Sequence, residues 1–238
     1  MEKIHVLLLR PADEPPPPRP DERLVLSHIP LLDWKPLPEN LERVEELLDS
    51  VEWLVYTSFR GVRATRRLAE AIRAARERGL RVAAVGPRTA VEVERVLGFK
   101  PDLVPREYRG AVLADELVSR GARSVLMARS EKALEEPVRL LRERGVVVHD
   151  IPVYTMMVLD RMVEAAVRVA SLYDYVVFTS PSIVRAFFSK WRGGALRAAA
   201  IGPTTARALR EHGVEPLVTP REYTLEALLE AILERPPL

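Results

Sequence analysis

The stretch Ala200-Ile201-Gly202-Pro203-Thr204-Thr205-Ala206 has the pattern of a buried strand that turns through Gly-Pro into a helix. Nearly the same sequence recurs at Ala84-Val85-Gly86-Pro87-Arg88-Thr89-Ala90. Glycine allows a tight turn, and proline suits the first helical position, where its missing N–H costs nothing. No acidic side chain follows to cap the free N–H groups of the first turn. Each stretch therefore fits either an anion site at an open helix N-terminus or an ordinary strand-to-helix turn.

The similarity between the two halves extends well beyond the Gly-Pro turns. Residues 53–64 parallel 175–186, and residues 104–108, which end in Tyr108, parallel 218–223. The first copy then continues through two strand-like segments, 124–130 and 147–154, whereas the second copy has one helix left. The counterparts of those two segments stand at the start of the chain, at residues 5–11 and 26–32. The chain therefore contains an internal repeat whose second copy begins before the first.

Apolar strand-like runs alternate with helical segments along the chain, which is typical of parallel sheets with helices on both faces. We predict an α/β protein of two flavodoxin-like or Rossmann-like domains, each a five-stranded parallel sheet flanked by helices. One domain is discontinuous and comprises residues 1–33 and 157–238, and a domain of residues 34–156 is inserted into it. Two segments join the domains as a double linker, and ligands are expected in the cleft between them.

Two local expectations accompany this fold. The four prolines at residues 15–18 forbid a helix and favour an extended polyproline loop between the first two strands. The Ala, Arg and Leu pattern of residues 60–78 predicts one long helix.

The composition excludes several classes of function. The sequence has no Cys, and its 4 His never fall at the spacing of metal ligands, so we expect no metal site. No run of about 18 apolar residues is present, and the first ten residues are too short and too charged for a signal peptide. We therefore expect a cytoplasmic protein with no membrane partner.

The charge of the chain does not indicate a nucleic-acid partner. The net charge is only +2, and basic residues are interleaved with acidic ones, so the sequence has no basic patch of the kind that binds nucleic acid. We expect a monomer.

The candidate site residues stand at the carboxyl ends of the predicted strands or in the helical turns that follow. This set is rich in hydroxyls, backbone N–H groups and arginine, and it contains no carboxylate, His or Cys. Such a surface suits a large polyanion rather than acid-base hydrolysis. The Thr-Ser pairs in the set fit helix N-caps equally well. The set comprises Arg10, Thr57, Ser58, Gly86, Thr89, Arg129, Ser130, Thr179, Ser180, Ser182, Gly202, Thr204 and Thr205.

Tyr154 differs from the other candidates because it could donate a proton. It ends an apolar strand where the chain crosses between the predicted domains, and Leu32 takes the matching place in the other copy. Two interpretations are open, a half-buried aromatic at a domain junction and a phenol that points into the cleft.

These residues together resemble the uroporphyrinogen-III synthase family. The supporting segments are Phe178-Thr-Ser-Pro-Ser182, Ala199-Ala-Ile-Gly-Pro-Thr-Thr-Ala-Arg-Ala-Leu209, Ile151-Pro-Val-Tyr154 and Val85-Gly-Pro-Arg-Thr-Ala90. The resemblance covers nearly the whole chain, and its most specific part is the Gly-Pro-Thr-Thr-Ala segment. It implies two domains in the discontinuous arrangement, with the active site between them.

The resemblance further implies conversion of hydroxymethylbilane, a linear tetrapyrrole with eight carboxylate side chains, to cyclic uroporphyrinogen III. The reaction loses water, inverts ring D through a spiro intermediate and closes the macrocycle without metal or cofactor. It implies a tyrosine at Tyr154 that assists departure of the hydroxyl, and threonines at Thr89 and Thr205. The chain departs from the family in having prolines where a helix usually joins the first two strands. A smaller departure is Phe59, which stands where the other copy has Pro181.

Two alternatives remain from the residues alone. A bilobed binding or sensor protein for an anionic small molecule would have the same cleft, because geometry of this kind does not separate binding from turnover. An enzyme acting on a sugar phosphate or nucleotide is less favoured, since the sequence has neither a P-loop nor Gly-x-Gly-x-x-Gly.

Overall fold

A computed structural model describes residues 3–14, 21–107 and 110–235. The protein has a mixed α/β fold. Its internal contacts divide it into two compact units, which are Met1–Asp33 with Met157–Leu238 (unit 1) and Trp34–Met156 (unit 2). That each unit is an independent domain stays a prediction. The prolines at residues 15–18 and Tyr108 of the repeat lie outside the described residues.

The described residues form eight strands, and the strand pairings within each unit are parallel. In unit 1 the strand order is β2-β1-β7-β8, and in unit 2 it is β4-β3-β5-β6. In chain order the strands are β1 (Ile4–Pro11), β2 (Leu24–Pro36), β3 (Trp53–Tyr56), β4 (Arg81–Ala84), β5 (Ser124–Ser130), β6 (Val147–Val158), β7 (Tyr175–Phe178) and β8 (Ala198–Ala200).

The prediction of five full strands in each domain is not confirmed. In unit 2 the fifth position is a single parallel bridge from Ala83 to Leu103, and in unit 1 it is a single bridge from Ala199 to Val218. Prolines lie close to both bridges, at Pro105 and Pro220, and proline cannot donate to a sheet ladder.

Helices follow the strands, as expected for parallel connections. The predicted helix over residues 60–78 is wrong in one respect, because it is broken by a 3-10 turn at Arg66–Leu68. The α-helices of the described chain are α1 (Leu41–Leu47), α2 (Phe59–Ala64), α3 (Ala69–Glu77), α4 (Pro87–Leu97), α5 (Gly110–Ser119), α6 (Glu136–Glu143), α7 (Asp160–Val169), α8 (Pro181–Phe188), α9 (Pro203–Glu211) and α10 (Leu225–Leu233).

The break between α2 and α3 has a local cause at Thr65. Its hydroxyl lies 3.1 Å from the Gly61 carbonyl oxygen and 2.7 Å from the buried Tyr56 hydroxyl. A threonine that bonds back to its own helix competes with the helical ladder, and the phenol fixes it there. Burial raises the pKa of Tyr56 well above its usual range, so this phenol stays protonated and keeps its hydrogen bond inside the core.

The core of unit 2 lies on both faces of its sheet. All four residues of β3 are buried, and they alternate between two apolar clusters, with Leu54 and Tyr56 on one face and Trp53 and Val55 on the other. A strand covered on both faces is what a continuous apolar run predicts in a parallel sheet. In unit 1, a cluster that includes Val6, Leu8 and Leu228 packs β1 against α10.

The two units share an irregularity at corresponding positions. In unit 1 the register shifts between Arg10 and Pro11, so that their partners on β2 are Pro30 and Leu32. In unit 2 the register shifts between Arg129 and Ser130, so that their partners on β6 are Pro152 and Tyr154. The bulges make Leu32 and Tyr154 structural counterparts, as the internal repeat predicted.

The segments where the chain passes between the units are hydrogen-bonded within each unit. In unit 2, the Leu37 N–H donates to the Val153 carbonyl at 2.9 Å, and the Asn40 side chain donates to the Pro152 carbonyl at 2.7 Å. In unit 1, the Leu159 N–H donates to the Leu31 carbonyl at 2.9 Å. The entering and leaving strands therefore lie side by side in both units.

Candidate functional site

The two Gly-Pro turns occupy equivalent places at the carboxyl ends of β4 and β8. The Val85 N–H donates to the Tyr56 carbonyl at 2.9 Å, and the Ile201 N–H donates to the Phe178 carbonyl at 3.1 Å. Helices α4 and α9 both begin on proline, have no side-chain cap, and carry no acidic residue in the first turn. The open N-termini predicted from the sequence are therefore present in both units, and their first-turn N–H groups have no acceptor within the helix.

The two turn glycines are needed for different reasons. Gly86 has φ of 89° and ψ of 157°, a conformation that is essentially restricted to glycine. Gly202 has φ of −175°, which any residue can adopt, so the expectation that glycine serves a tight turn in both copies is wrong there. A Cβ at Gly202 would instead meet the Tyr223 ring at 3.2 Å. A side chain at this position would therefore require the Tyr223 ring to move by a few tenths of an ångström.

The threonines that follow the prolines divide into a buried and an exposed type. Thr89 and Thr205 are counterparts and are 4% and 1% exposed. Thr204 is exposed, as is its counterpart Arg88. Within the described part of the chain, neither the Thr89 nor the Thr205 hydroxyl makes a hydrogen bond. Both units thus present a hydroxyl beside the free N–H groups of a helix N-terminus.

The Thr-Ser pairs after β3 and β7 carry out the capping function that was one of their two interpretations. Ser58 accepts the Arg60 N–H at 3.2 Å, and Ser180 accepts the Ile183 N–H at 3.3 Å. Thr179 donates to the Leu9 carbonyl on the neighbouring strand at 3.0 Å. These contacts position the ends of the strands, and a contact of the same residues with a ligand stays a prediction.

Ser182 lies in the first turn of α8 and is exposed. Its hydroxyl accepts a hydrogen bond from the Arg185 guanidinium at 3.3 Å. Ser130 accepts the Lys132 N–H at 3.2 Å and so closes the turn after β5.

A cavity of about 200 Å³ opens at the carboxyl edge of unit 2, where β3, β4 and β5 end. Thr57, Val85 and Arg129 line it from the strands, and Gly110 and Pro137 line it from the helices α5 and α6. Glu136 also lines it, so this edge contains a carboxylate that was not among the predicted residues. Thr57 supplies a hydroxyl group to the lining of this cavity.

Arg129 is buried and its guanidinium is used within the protein. It donates to Asp150 at 2.5 Å, to Glu135 at 2.9 Å and to the Leu134 carbonyl at 2.5 Å. Hydrogen bonding to Asp150 raises the pKa of Arg129 above its usual range, against the opposing effect of burial. Arg129 therefore links the end of β5 to Asp150 within β6 and to the residues just before α6. Its counterpart Arg10 is also buried and lies 3.5 Å from Glu14.

The sequence did not predict a group of arginines around Phe59, at the start of α2. The guanidinium of Arg88 lies 3.7 Å from the centre of the Phe59 ring, and those of Arg60 and Arg63 lie 4.7 and 5.0 Å from it. Arginines on an aromatic face are held by cation–π attraction. The available signal was the departure from the repeat, because Phe59 stands where unit 1 has Pro181.

Tyr154 lies at the bulge of β6, opposite Ser130, and is 5% exposed. Its ring packs in the core cluster of unit 2 and contacts Trp34 edge-on. Its backbone carbonyl accepts the Glu131 N–H at 2.9 Å, while its hydroxyl makes no hydrogen bond to any of the described residues. Tyr154 is thus more buried than a half-buried junction residue, with its donor unused.

No helix among the described residues is long and apolar enough to cross a membrane. In the same residues, no group of three or more His, Asp or Glu side chains is arranged to hold a metal ion.

The chain matches a family of known proteins. The model of the family described as uroporphyrinogen-III synthase HemD matches residues 24–230. The chain belongs to the uroporphyrinogen-III synthase family. A uroporphyrinogen-III synthase of Synechococcus elongatus is 28% identical over 219 residues, which are 85% of this chain and 81% of that protein.

Two solved structures share the fold of this family member. One is uroporphyrinogen-III synthetase from Helicobacter pylori, with a TM-score of 0.69, 19% identity, and coverage of 98% of this chain and 99% of that one. The other is a mutant uroporphyrinogen III synthase from Thermus thermophilus, with a TM-score of 0.64, 18% identity, and coverage of 98% and 97%.

Proposed function

We propose that this protein converts hydroxymethylbilane to uroporphyrinogen III and water. The match of the uroporphyrinogen-III synthase family to residues 24–230 carries this proposal. Since the family acts on a linear tetrapyrrole, a surface that binds many carboxylates is required. The open N-termini of α4 and α9 meet that requirement.

The carboxylates of the substrate would bind at the carboxyl ends of the strands. Backbone N–H groups after Pro87 and Pro203 would donate to them, with the Thr89 and Thr205 hydroxyls beside those groups and Thr204 at the surface. Hydrogen bonds from N–H groups to carboxylates are stronger than bonds between neutral groups, and the helix dipole favours the negative charge. The remaining candidates at these edges, including Thr57 and Gly86, would shape the surface on which the substrate lies.

The chemical step begins with loss of the hydroxyl of the substrate as water, which leaves an electrophilic azafulvene. We assign the proton donor for this step to the Tyr154 phenol. Its support is a hydroxyl with no partner among the described residues and a ring fixed by core packing. After water leaves, ring D closes through the spiro intermediate and is inverted. The enzyme must hold the flexible chain so that closure without inversion is slower, which is catalysis by positioning.

The test is to supply hydroxymethylbilane, generated in situ, to the purified protein and to separate the oxidised products by isomer. We expect mostly the type III isomer. Accumulation of type I alone, as in the spontaneous reaction, would overturn the proposal and favour the bilobed binding or sensor protein. We further propose that the protein works as a cytoplasmic monomer without a cofactor, and size-exclusion chromatography with light scattering tests the monomer.

A further inference from the structure

Another cavity in unit 2 has a volume of about 620 Å³ and shares no lining residue with the cavity at the sheet edge. One wall is basic and the other is apolar. The basic wall comes from α2, the 3-10 turn after it and α4, and the apolar wall comes from the start of unit 2. The lining residues are Trp34, Pro36, Pro38, Leu41, Arg63, Ala64, Arg66, Arg67, Arg95 and Val96.

The basic wall carries more positive charge than the protein around it neutralises. Arg63 and Arg95 share one carboxylate, that of Glu92, at 2.8 and 2.5 Å. Arg66 and Arg67 are exposed and make neither a hydrogen bond nor an ion pair with any residue that the structure describes. Four arginines therefore line this cavity, and one carboxylate pairs with two of them. Charges of one sign on a low-dielectric wall attract anions.

The apolar wall restricts the kind of anion. Trp34 lines the cavity together with Pro36, Pro38 and Leu41. A flat ring on tryptophan adds stacking and apolar burial to the charge attraction. The guanidiniums come from residues 63–67 and from Arg95. Those of Arg66 and Arg67, which have no partner among the described residues, can each bind a carboxylate in a fork. Several carboxylates spread over a ring suit this wall better than one compact phosphate.

We propose that this cavity is a second anion site, which binds an aromatic molecule with several carboxylates independently of the sheet edges. A ligand bound in this cavity would contact Trp34, and the Trp34 ring also contacts the ring of Tyr154. The site therefore lies one side chain away from the proposed proton donor.

Isothermal titration of the full chain with benzenehexacarboxylate tests the proposal. The double variant Arg66→Gln with Arg67→Gln should weaken binding at least tenfold. The control is Arg120→Gln with Arg161→Gln, which removes two exposed arginines that likewise make no side-chain hydrogen bond or ion pair among the described residues. The control should bind within twofold of the unchanged protein. Equal weakening in both variants, unweakened binding in the first variant, or no binding at all would overturn the proposal.

Trp34→Leu provides the second arm, with tripolyphosphate as the comparison anion. We expect the affinity for benzenehexacarboxylate to fall several-fold more than the affinity for tripolyphosphate, since only the former has a ring. Equal losses would contradict the ring-binding part of the proposal. Thermal unfolding of each variant confirms that it is folded. Because these titrations contain no substrate, their outcome is separate from that of the synthase assay.

Discussion

The ring of Tyr154 meets that of Trp34 edge-on, with 5.9 Å between their centres and 86° between their planes. Trp34 lies on β2 where the chain enters unit 2, and Tyr154 lies on β6 just before the chain leaves it. Edge-to-face pairs of this kind are worth about 0.5–1.5 kcal/mol beyond their buried area. Trp34, on the strand that enters unit 2, therefore helps to fix the direction in which the Tyr154 phenol points.

Tyr154→Phe should lower kcat about 100-fold or more and leave the affinity for product nearly unchanged, because only the proton donor is lost. Single-turnover kinetics and product titration measure the two quantities. Tyr56→Phe is the matched control, because its phenol is buried and bound to Thr65. That variant should lose about 1 kcal/mol of stability and keep its turnover. An unchanged kcat in Tyr154→Phe would exclude the phenol as the acid.

Thr89→Val and Thr205→Val should each raise KM, by roughly two- to tenfold for one lost hydrogen bond, and together by about the product of the single effects. Steady-state kinetics with hydroxymethylbilane checks this. Thr65→Val removes an equally buried hydroxyl whose partners are inside the protein. It should change stability without changing KM. If Thr89→Val and Thr205→Val both keep the KM of the unchanged protein, these two hydroxyls do not bind the substrate.

Alanine should act differently at the two turn glycines. Gly86→Ala should cost about 1–3 kcal/mol through backbone strain, which no second substitution relieves. Gly202→Ala should cost less and should be rescued by Tyr223→Ala, because its obstacle is a side chain. Chemical unfolding of the single and double variants gives the coupling energies. Rescue of Gly86→Ala by Tyr223→Ala, or no rescue of Gly202→Ala, would contradict this distinction.

Glu92 should make the stability of the protein depend on pH in the acid range. Burial alone would raise the pKa of Glu92, but hydrogen bonds from Arg95 and Arg63 hold it below the usual 4.5. The stabilisation is therefore complete above pH 4.5 and is lost as pH falls through the lower pKa of the folded protein.

Glu92→Gln should accordingly cost about 1–3 kcal/mol at pH 7 and flatten the loss of stability below pH 4.5. Urea unfolding at several pH values measures both effects. Glu94→Gln, on the exposed face of the same helix, should leave the profile unchanged. Parallel profiles for Glu92→Gln and the unchanged protein would show that the carboxylate is not the titrating group.

Much of the fold followed from the internal repeat. Once Thr57-Ser58 was aligned with Thr179-Ser180, the strand ends and the helix starts were determined, because both copies use the same local chemistry. The break at Thr65 was not predictable, since it depends on a hydrogen bond to Tyr56 across the core. The fifth strands were predicted from apolar residues, but the backbone makes a single bridge there.

The parts of the site that depend on the backbone were predictable, and the contacts between distant side chains were less so. The positions of Pro87 and Pro203 in the sequence predict helix N-termini without a side-chain cap. The sequence did not reveal that Asp150 engages the guanidinium of Arg129, because that depends on the register of β5 and β6. The same limit applies to Phe59, whose three arginine neighbours come from two different helices.

The order of the strands also affects which unit can fold first while the chain is being synthesised. Strand β1 lies between β2 and β7, and the N–H of His5 donates to Asp174, 169 residues later. Every residue of unit 2 has been synthesised by position 156, whereas β7 ends at Phe178. At ordinary rates of protein synthesis, roughly one to four seconds pass between the addition of residue 156 and the addition of Phe178. The inserted unit can therefore fold first on the ribosome, and the unit that starts the chain is completed last.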